Sequence, residues 1–237
     1  MARPTATNPT QSAPAGRANL TDTAYELIRR RIADGTFEPG SCISERMLSE
    51  QLGLGMAPIR SALRRLAAEG FVTIASRRGC FVAHRSIQDV ADLFEVRLVL
   101  ERLVVSRITG HLQADQLQSL QECLKEHEKL IRQGADPSKT LVPDFAFHRK
   151  LAEYQGNKFL RVVLTNILDL VFPEIFIAHR KCPDRVEKAL EEHKRLLGAI
   201  ANSDAAEAER LLVKHLMSCR EFVFFRNISG LERTGLA

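Results

Sequence analysis

The chain has 237 residues, 45% hydrophobic and 27% charged, a globular composition long enough for a sizeable core and one or two domains; disorder and fibrous architecture are excluded. Its longest apolar stretch, Ile167 to Ala178, is cut by Asp169, Pro173 and Glu174, well short of the ~20 clean apolar residues of a membrane span, so a soluble protein with no membrane partner is expected. The net charge of +5 sits entirely in the first third, where twelve arginines and no lysine face seven acids up to Arg85; from Ser86 onward twenty-two bases balance twenty-two acids, which points to an N-terminal module for a polyanion and a neutral module with another task.

Residues 1–19, rich in Ala, Pro, Thr and Asn, lack the apolar core of a secretory signal and read as a flexible tail. The five cysteines, Cys42, Cys80, Cys123, Cys182 and Cys219, are odd in number and show no CxxC spacing, which suits reduced thiols in a cytoplasm. A first helix, capped by Thr21 or Asp22, carries Tyr25, Ile28 and Ile32 at helical spacing and ends at Gly35, Pro39 and Gly40. Ser44 caps a short second helix with Met47, Leu48 and Leu52 inward, closed by Gly53. A third starts near Pro58, with Ile59, Leu63 and Leu66 on one face, and stops at Gly70. Phe71 to Ile74, a turn at Ser76 to Gly79, and Cys80 to Ala83 read as an antiparallel hairpin. Three helices and a hairpin tipped with arginines make a winged helix-turn-helix over residues 20–85.

From residue 86 to about 230 the pattern is helical throughout, with helices expected at Ile87–Thr109, Ala114–Gln133, Pro143–Gln155, Asn157–Arg180, Pro183–Ala201 and Asp204–Arg226. Their separators are short and rich in turn residues, Gly134 to Pro137, Gly156-Asn157, Cys182-Pro183 and Asn202 to Asp204, which favours antiparallel neighbours in a bundle. The fold class is therefore mainly α: a winged helix-turn-helix followed by an all-helical bundle.

In a helix-turn-helix the second helix of the pair enters the major groove. Here it carries Arg60, Arg64 and Arg65. Arginine's planar fork bonds guanine O6 and N7 together or grips phosphate. Arg64 and Arg65 are adjacent and cannot both face the groove; Arg64, one turn beyond Arg60, is the better placed. Arg46 on the preceding helix and Arg77 and Arg78 on the wing would hold the phosphate backbone. The run ERMLSEQLGLGMAPIRSALRRLAAEGFVTIASRRGCFVA resembles the winged helix-turn-helix of the GntR superfamily of bacterial transcription regulators. The resemblance covers about Leu20 to His84 and implies DNA contacts at Arg46, Arg60 and the wing around Gly79. The chain departs from the family in having Gly55, Met56 and Ala57 before the recognition-helix proline, where Ser or Thr, then Arg, then Thr are usual. That removes a hydroxyl cap and a guanidinium, so the operator sequence does not carry over.

Of the seven histidines, His148 stands four residues after Asp144, placing an imidazole and a carboxylate on one helix face. If the final helical hairpin turns near Asn202, His193 and His215 differ in depth by only about one helical turn at ~1.5 Å per residue, so both rings can reach one point. One Asp and three His suit Zn2+ or another divalent first-row metal, with room for water or a ligand. The pattern DFAFHRKLAE, then EEHKRLL, then VKHL looks like the FCD domain, the helical effector-binding domain of the FadR branch of the same superfamily. That resemblance implies a metal site at Asp144, His148, His193 and His215, holding Zn2+ foremost, with Ni2+ or Mn2+ as alternatives. Arg97 lies in a strongly apolar segment and needs a partner, either Glu101 four residues on or the carboxylate of a small ligand; the resemblance favours the ligand.

The expectation is a ligand-responsive transcription regulator, a repressor by resemblance, that binds double-stranded operator DNA as a homodimer and takes a small organic acid effector at its metal. No catalytic residues are assigned. A metal sensor, in which the cation itself is the signal, is the alternative reading. A metallohydrolase is disfavoured, because no HExxH motif supplies a general base and catalysis would leave the arginine-rich module unexplained.

Overall fold

The computed structural model describes residues 20–76, 78–179 and 184–231. The expected tail 1–19, the wing residue Arg77 and the Cys182-Pro183 separator lie outside the described residues.

The first unit comprises α1 (Leu20–Ala33), β1 (Cys42–Ile43), α2 (Glu45–Leu52), α3 (Met56–Ala68), β2 (Val72–Ala75) and β3 (Gly79–Val82). The expected apolar faces are the buried ones: Tyr25, Ile28 and Ile32 on α1, Leu48 on α2, and Ile59, Leu63 and Leu66 on α3. Ser44 caps α2 by accepting the Met47 N–H at 3.0 Å. Gly53 closes the helix in the left-handed region, at φ 65°. The third helix begins at Met56, two residues ahead of Pro58, which sits within the first turn. Its N-cap, Gly55, offers no side-chain bond, so the missing hydroxyl is not replaced.

The sheet has three strands in the order β1-β3-β2, all antiparallel. The hairpin register runs from Val72 opposite Val82 to Ala75 opposite Gly79. The additional strand β1 pairs Cys42 with Phe81 and Ile43 with Cys80, which buries Ile43 in the first core.

The second unit holds α4 (Ile87–Ile108), α5 (Ala114–Arg132), α6 (Pro137–Tyr154), α7 (Lys158–His179), α8 (Asp184–Ala201) and α9 (Ala205–Leu231). Ser86 and Asp89 form a reciprocal capping box that starts α4. The expected start of α6 at Pro143 is corrected to Pro137. Both prolines compete for the first-turn position, where a missing N–H costs nothing; Pro137 takes it and Pro143 lies inside the helix. The early start buries Leu141, and the helix then delivers Phe145 and Phe147 to a second, larger core that runs from Val90 to Val223.

The two units meet on α7. Leu170 packs against the first core. The Asp169 carboxylate accepts from Arg29 of α1 and from Arg149 of α6, and Arg29 also donates to Asn166 at 2.9 Å. Arg85 lies 3.8 Å from Glu174. At the turn after α1, Gly35 adopts φ 76° and lies so close to Phe176 that a Cβ there would stand 2.5 Å from the ring. Among the described residues, no helix is long and apolar enough to cross a membrane.

Candidate metal centre and nucleic-acid interface

Four helices of the second unit each contribute one member of a buried polar cluster: Glu101 from α4, His148 from α6, His193 from α8 and His215 from α9. His193 Nε2 stands 3.0 Å from His148 Nε2 and 3.1 Å from His215 Nε2. Two nitrogens that each bind one metal at ~2.0–2.1 Å at near-tetrahedral or right angles are separated by about this much.

The opposite face of each ring meets a carboxylate. Glu101 Oε2 accepts from His148 Nδ1 at 2.6 Å, and Glu192 Oε2 accepts from His215 Nδ1 at 2.8 Å. Ionised carboxylates only accept, so both protons are fixed on Nδ1 and both Nε2 lone pairs face inward. Asp144 Oδ1 lies 3.4 Å from His193 Nδ1. Three imidazoles therefore turn nitrogens towards one point, two of them with lone pairs fixed there, a donor set suited to a divalent first-row cation.

The local electrostatics agree with neutral rings at His193 and His215. Burial pushes His193 well below the ordinary histidine range, against the pull of Asp144 and with the neighbouring imidazoles adding to the push. His215 is held well below it for the same reason, first burial and then His148. Neutral imidazoles bind metal without first losing a proton. Burial opposes charge on Glu101, yet His148 and Arg97 hold it at about 2.

The structure thus brings His148, His193 and His215 together through their ligand atoms. It does not bring Asp144 into that group; Asp144 gathers instead with His127 and the same His193, with ligand atoms all within 4.8 Å of one another. Arg97 is 1% exposed and spends its Nε on Glu101 Oε1 at 2.5 Å, the intrahelical partner. Its terminal nitrogens make no hydrogen bond among the described residues, so the guanidinium retains donors for a ligand.

Sequence reasoning missed four residues here. Glu101 was seen only as a partner for Arg97, and Glu192 and His127 were not singled out. Arg185 is 6% exposed, donates to Glu192 at 3.0 Å, and keeps Nε and Nη1 buried without partners among the described residues. Glu101, Glu192 and His127 meet partners on other helices, beyond the reach of single-helix spacing, whereas Arg185 meets Glu192 seven residues on within α8.

On the first unit, α3 and the wing enclose a groove of about 510 Å³ lined by Ser44, Arg60, Arg64, Ile74 and Gly79, among others. Arg60 is held at its mouth by Glu45, Nη2 to Oε2 at 2.8 Å, and that bond holds the Glu45 carboxyl below its ordinary range. Arg65 points elsewhere, against Asp22, Glu69 and the Tyr25 ring. Arg46 is exposed and pairs with Glu50 at 2.9 Å. Arg78 is exposed at the wing turn, and Gly79 opens β3 at φ 109°.

Comparison with known proteins places both units. The sequence model of the FCD domain matches residues 92–218, and that of bacterial regulatory proteins of the gntR family matches residues 20–82. The chain is 27% identical over 191 residues to the uncharacterized HTH-type transcriptional regulator YdhC of Bacillus subtilis, covering 81% of this chain and 85% of that protein. It is 27% identical over 206 residues to the HTH-type transcriptional repressor GlaR of Escherichia coli, covering 82% and 91%. In fold it is similar to E. coli McbR/YncC, with a TM-score of 0.81 at 18% identity, covering 89% of this chain and all of that one.

Proposed function

The chain belongs to the FCD-domain family and is a GntR-type transcription regulator, not an enzyme; from that premise we propose that it represses by binding operator DNA as a homodimer and releases it when a small carboxylate binds at a divalent cation. The observation that carries the cation is the convergence of three histidine Nε2 atoms with two of their protons fixed on the far side. His148, His193 and His215 hold the ion, zinc first among the candidates with nickel and manganese as alternatives, and Asp144 acts beside His193. When bound, the ion supplies a Lewis-acidic position for a carboxylate oxygen. Arg97 and Arg185 are buried cations with donors to spare, and they orient the rest of the carboxylate.

Operator contact falls to Arg46, Arg60, Arg64 and the wing at Arg77, Arg78 and Gly79. The Glu45 partner of Arg60 is exposed enough to yield to guanine or phosphate. Dimerisation is supported by two apolar stripes on neighbouring helices: Val96, Val99 and Leu103 on α4, and Phe159, Val162 and Val163 on α7, all exposed. Release follows if the effector binds more tightly to the arrangement that cannot span two half-sites. Arg149, next to His148, and Arg29, in the DNA-binding unit, share the Asp169 carboxylate, so a shift of α6 is felt at α1.

The test combines elemental analysis of purified protein with operator binding at fixed salt across a panel of small carboxylates. One divalent metal per chain and release by a carboxylate are the expected results. No metal after reconstitution overturns the cation reading. Release by chelator alone, with no carboxylate effective, makes the protein a sensor of the cation instead. A Val99→Asp variant that stays dimeric in gel filtration refutes the α4 interface.

A further inference from the structure

His127 on α5 is 1% exposed, and among the described residues neither of its ring nitrogens has a hydrogen-bond partner. A buried imidazole left unpaired on both sides is costly, and such a group calls for an occupant. It does not stand in an apolar void: one of its nitrogens, an Asp144 oxygen and a His193 nitrogen lie within 4.8 Å of one another. Two imidazoles and a carboxylate are a donor set for a divalent first-row cation.

His193 belongs to both groups. Its Nε2 faces His148 and His215 at 3.0 and 3.1 Å, and its Nδ1 faces Asp144 at 3.4 Å, itself without a hydrogen-bond partner among the described residues. A neutral imidazole has one lone pair and one N–H. With the proton on Nδ1, the ring donates towards Asp144 and offers Nε2 to a cation shared with His148 and His215. With the proton on Nε2, the ring donates to the two fixed Nε2 lone pairs, and Nδ1 faces Asp144 and His127 as a ligand. Each tautomer satisfies one side of the ring with protein and leaves the other for the metal. Filling both sides at once would require the ring to ionise.

We propose that the centre offers a divalent cation two alternative positions, one on His148, His193 and His215 and one on His127, Asp144 and His193, filled one at a time. This rests on the cation reading above and extends it. His193 is indispensable to either position; His215 and His127 each serve only one.

Cobalt(II) binding to the full chain tests this, with stoichiometry by elemental analysis, coordination by visible absorption, and folding checked by far-UV circular dichroism. Wild type is expected to bind one Co2+ per chain, and His127→Gln to bind one as well, with the spectrum of the His148, His193 and His215 position alone. His215→Ala is expected to retain one Co2+ with an altered spectrum and weaker affinity, and His127→Gln added to it to abolish binding, as His193→Ala does alone. Should His215→Ala be misfolded, His148→Gln serves the same purpose. The proposal is overturned if His215→Ala and His148→Gln bind no cobalt, or if the double variant holds it as tightly as His215→Ala. No cobalt in wild type instead brings down the cation reading itself.

Discussion

Glu101 joins two buried groups, Arg97 at 2.5 Å and His148 at 2.6 Å, with both Arg97 and Glu101 at most 2% exposed. Replacing it by Gln keeps the shape and removes the charge. The guanidinium is then a buried cation without its counterion, and breaking a buried pair in this way costs about 3–5 kcal/mol. For a helical domain of this size, that lowers the melting temperature by on the order of 10 °C. Loss of the carboxylate behind His148 also weakens divalent cation binding by about 10–100-fold. The assay is urea unfolding of apo protein in chelator, followed by circular dichroism, for Arg97→Met, Glu101→Gln and the double variant. Removing both charges leaves no unpaired ion, so the double variant is expected to be more stable than the two single losses added together by up to about 3 kcal/mol. A Glu101→Gln loss below about 1 kcal/mol, or simple additivity, refutes the pairing as the element that stabilises Arg97.

Four other outcomes follow from the geometry. Arg46→Ala is expected to weaken binding to all DNA sequences alike and to reduce the slope of log affinity against log salt by about 1; Arg60→Ala reduces preference for the operator, and equal loss on random DNA contradicts that role. Gly35→Ala is expected to destabilise by at least about 1–2 kcal/mol from its left-handed backbone, with the contact on Phe176 adding to this, and to raise protease sensitivity between the two units; unchanged melting and proteolysis refute the close packing. At pH 8, iodoacetamide is expected to modify the exposed Cys42 ahead of Cys80, whose thiol burial pushes up to about 11, and operator DNA to slow reaction at Cys42; equal rates at the two thiols contradict the register of β1.

The winged helix-turn-helix was legible because its signals are local: apolar residues at helical spacing, Ser44 and Gly53 at helix ends, and glycine between the strands. The two-residue β1 is too short for any periodicity, and its partners Cys80 and Phe81, far along the chain, define it. The start of α6 was misread because two prolines carry the same cue and only packing of Leu141 chooses between them. At the centre, the three histidines were legible from Asp144 to His148 spacing and the geometry of the last hairpin. The residues that orient them were not. Glu101 reaches His148, and Glu192 reaches His215, from other helices, and no spacing within one helix encodes such pairs.

The clasp on α7 has a consequence in time. The first core, Ala24 to Val82, is closed by its own helices and strands, with Leu170 only leaning on it from outside. Asp169, which grips Arg29, lies roughly 80 residues downstream of Arg85 and so leaves the ribosome about 4–16 s later at ~5–20 residues per second. During that interval the nascent chain carries the DNA-binding unit without its contacts to α7. Its folding in that interval rests on its own core alone, and the contacts with the second unit form only when α7 has been made.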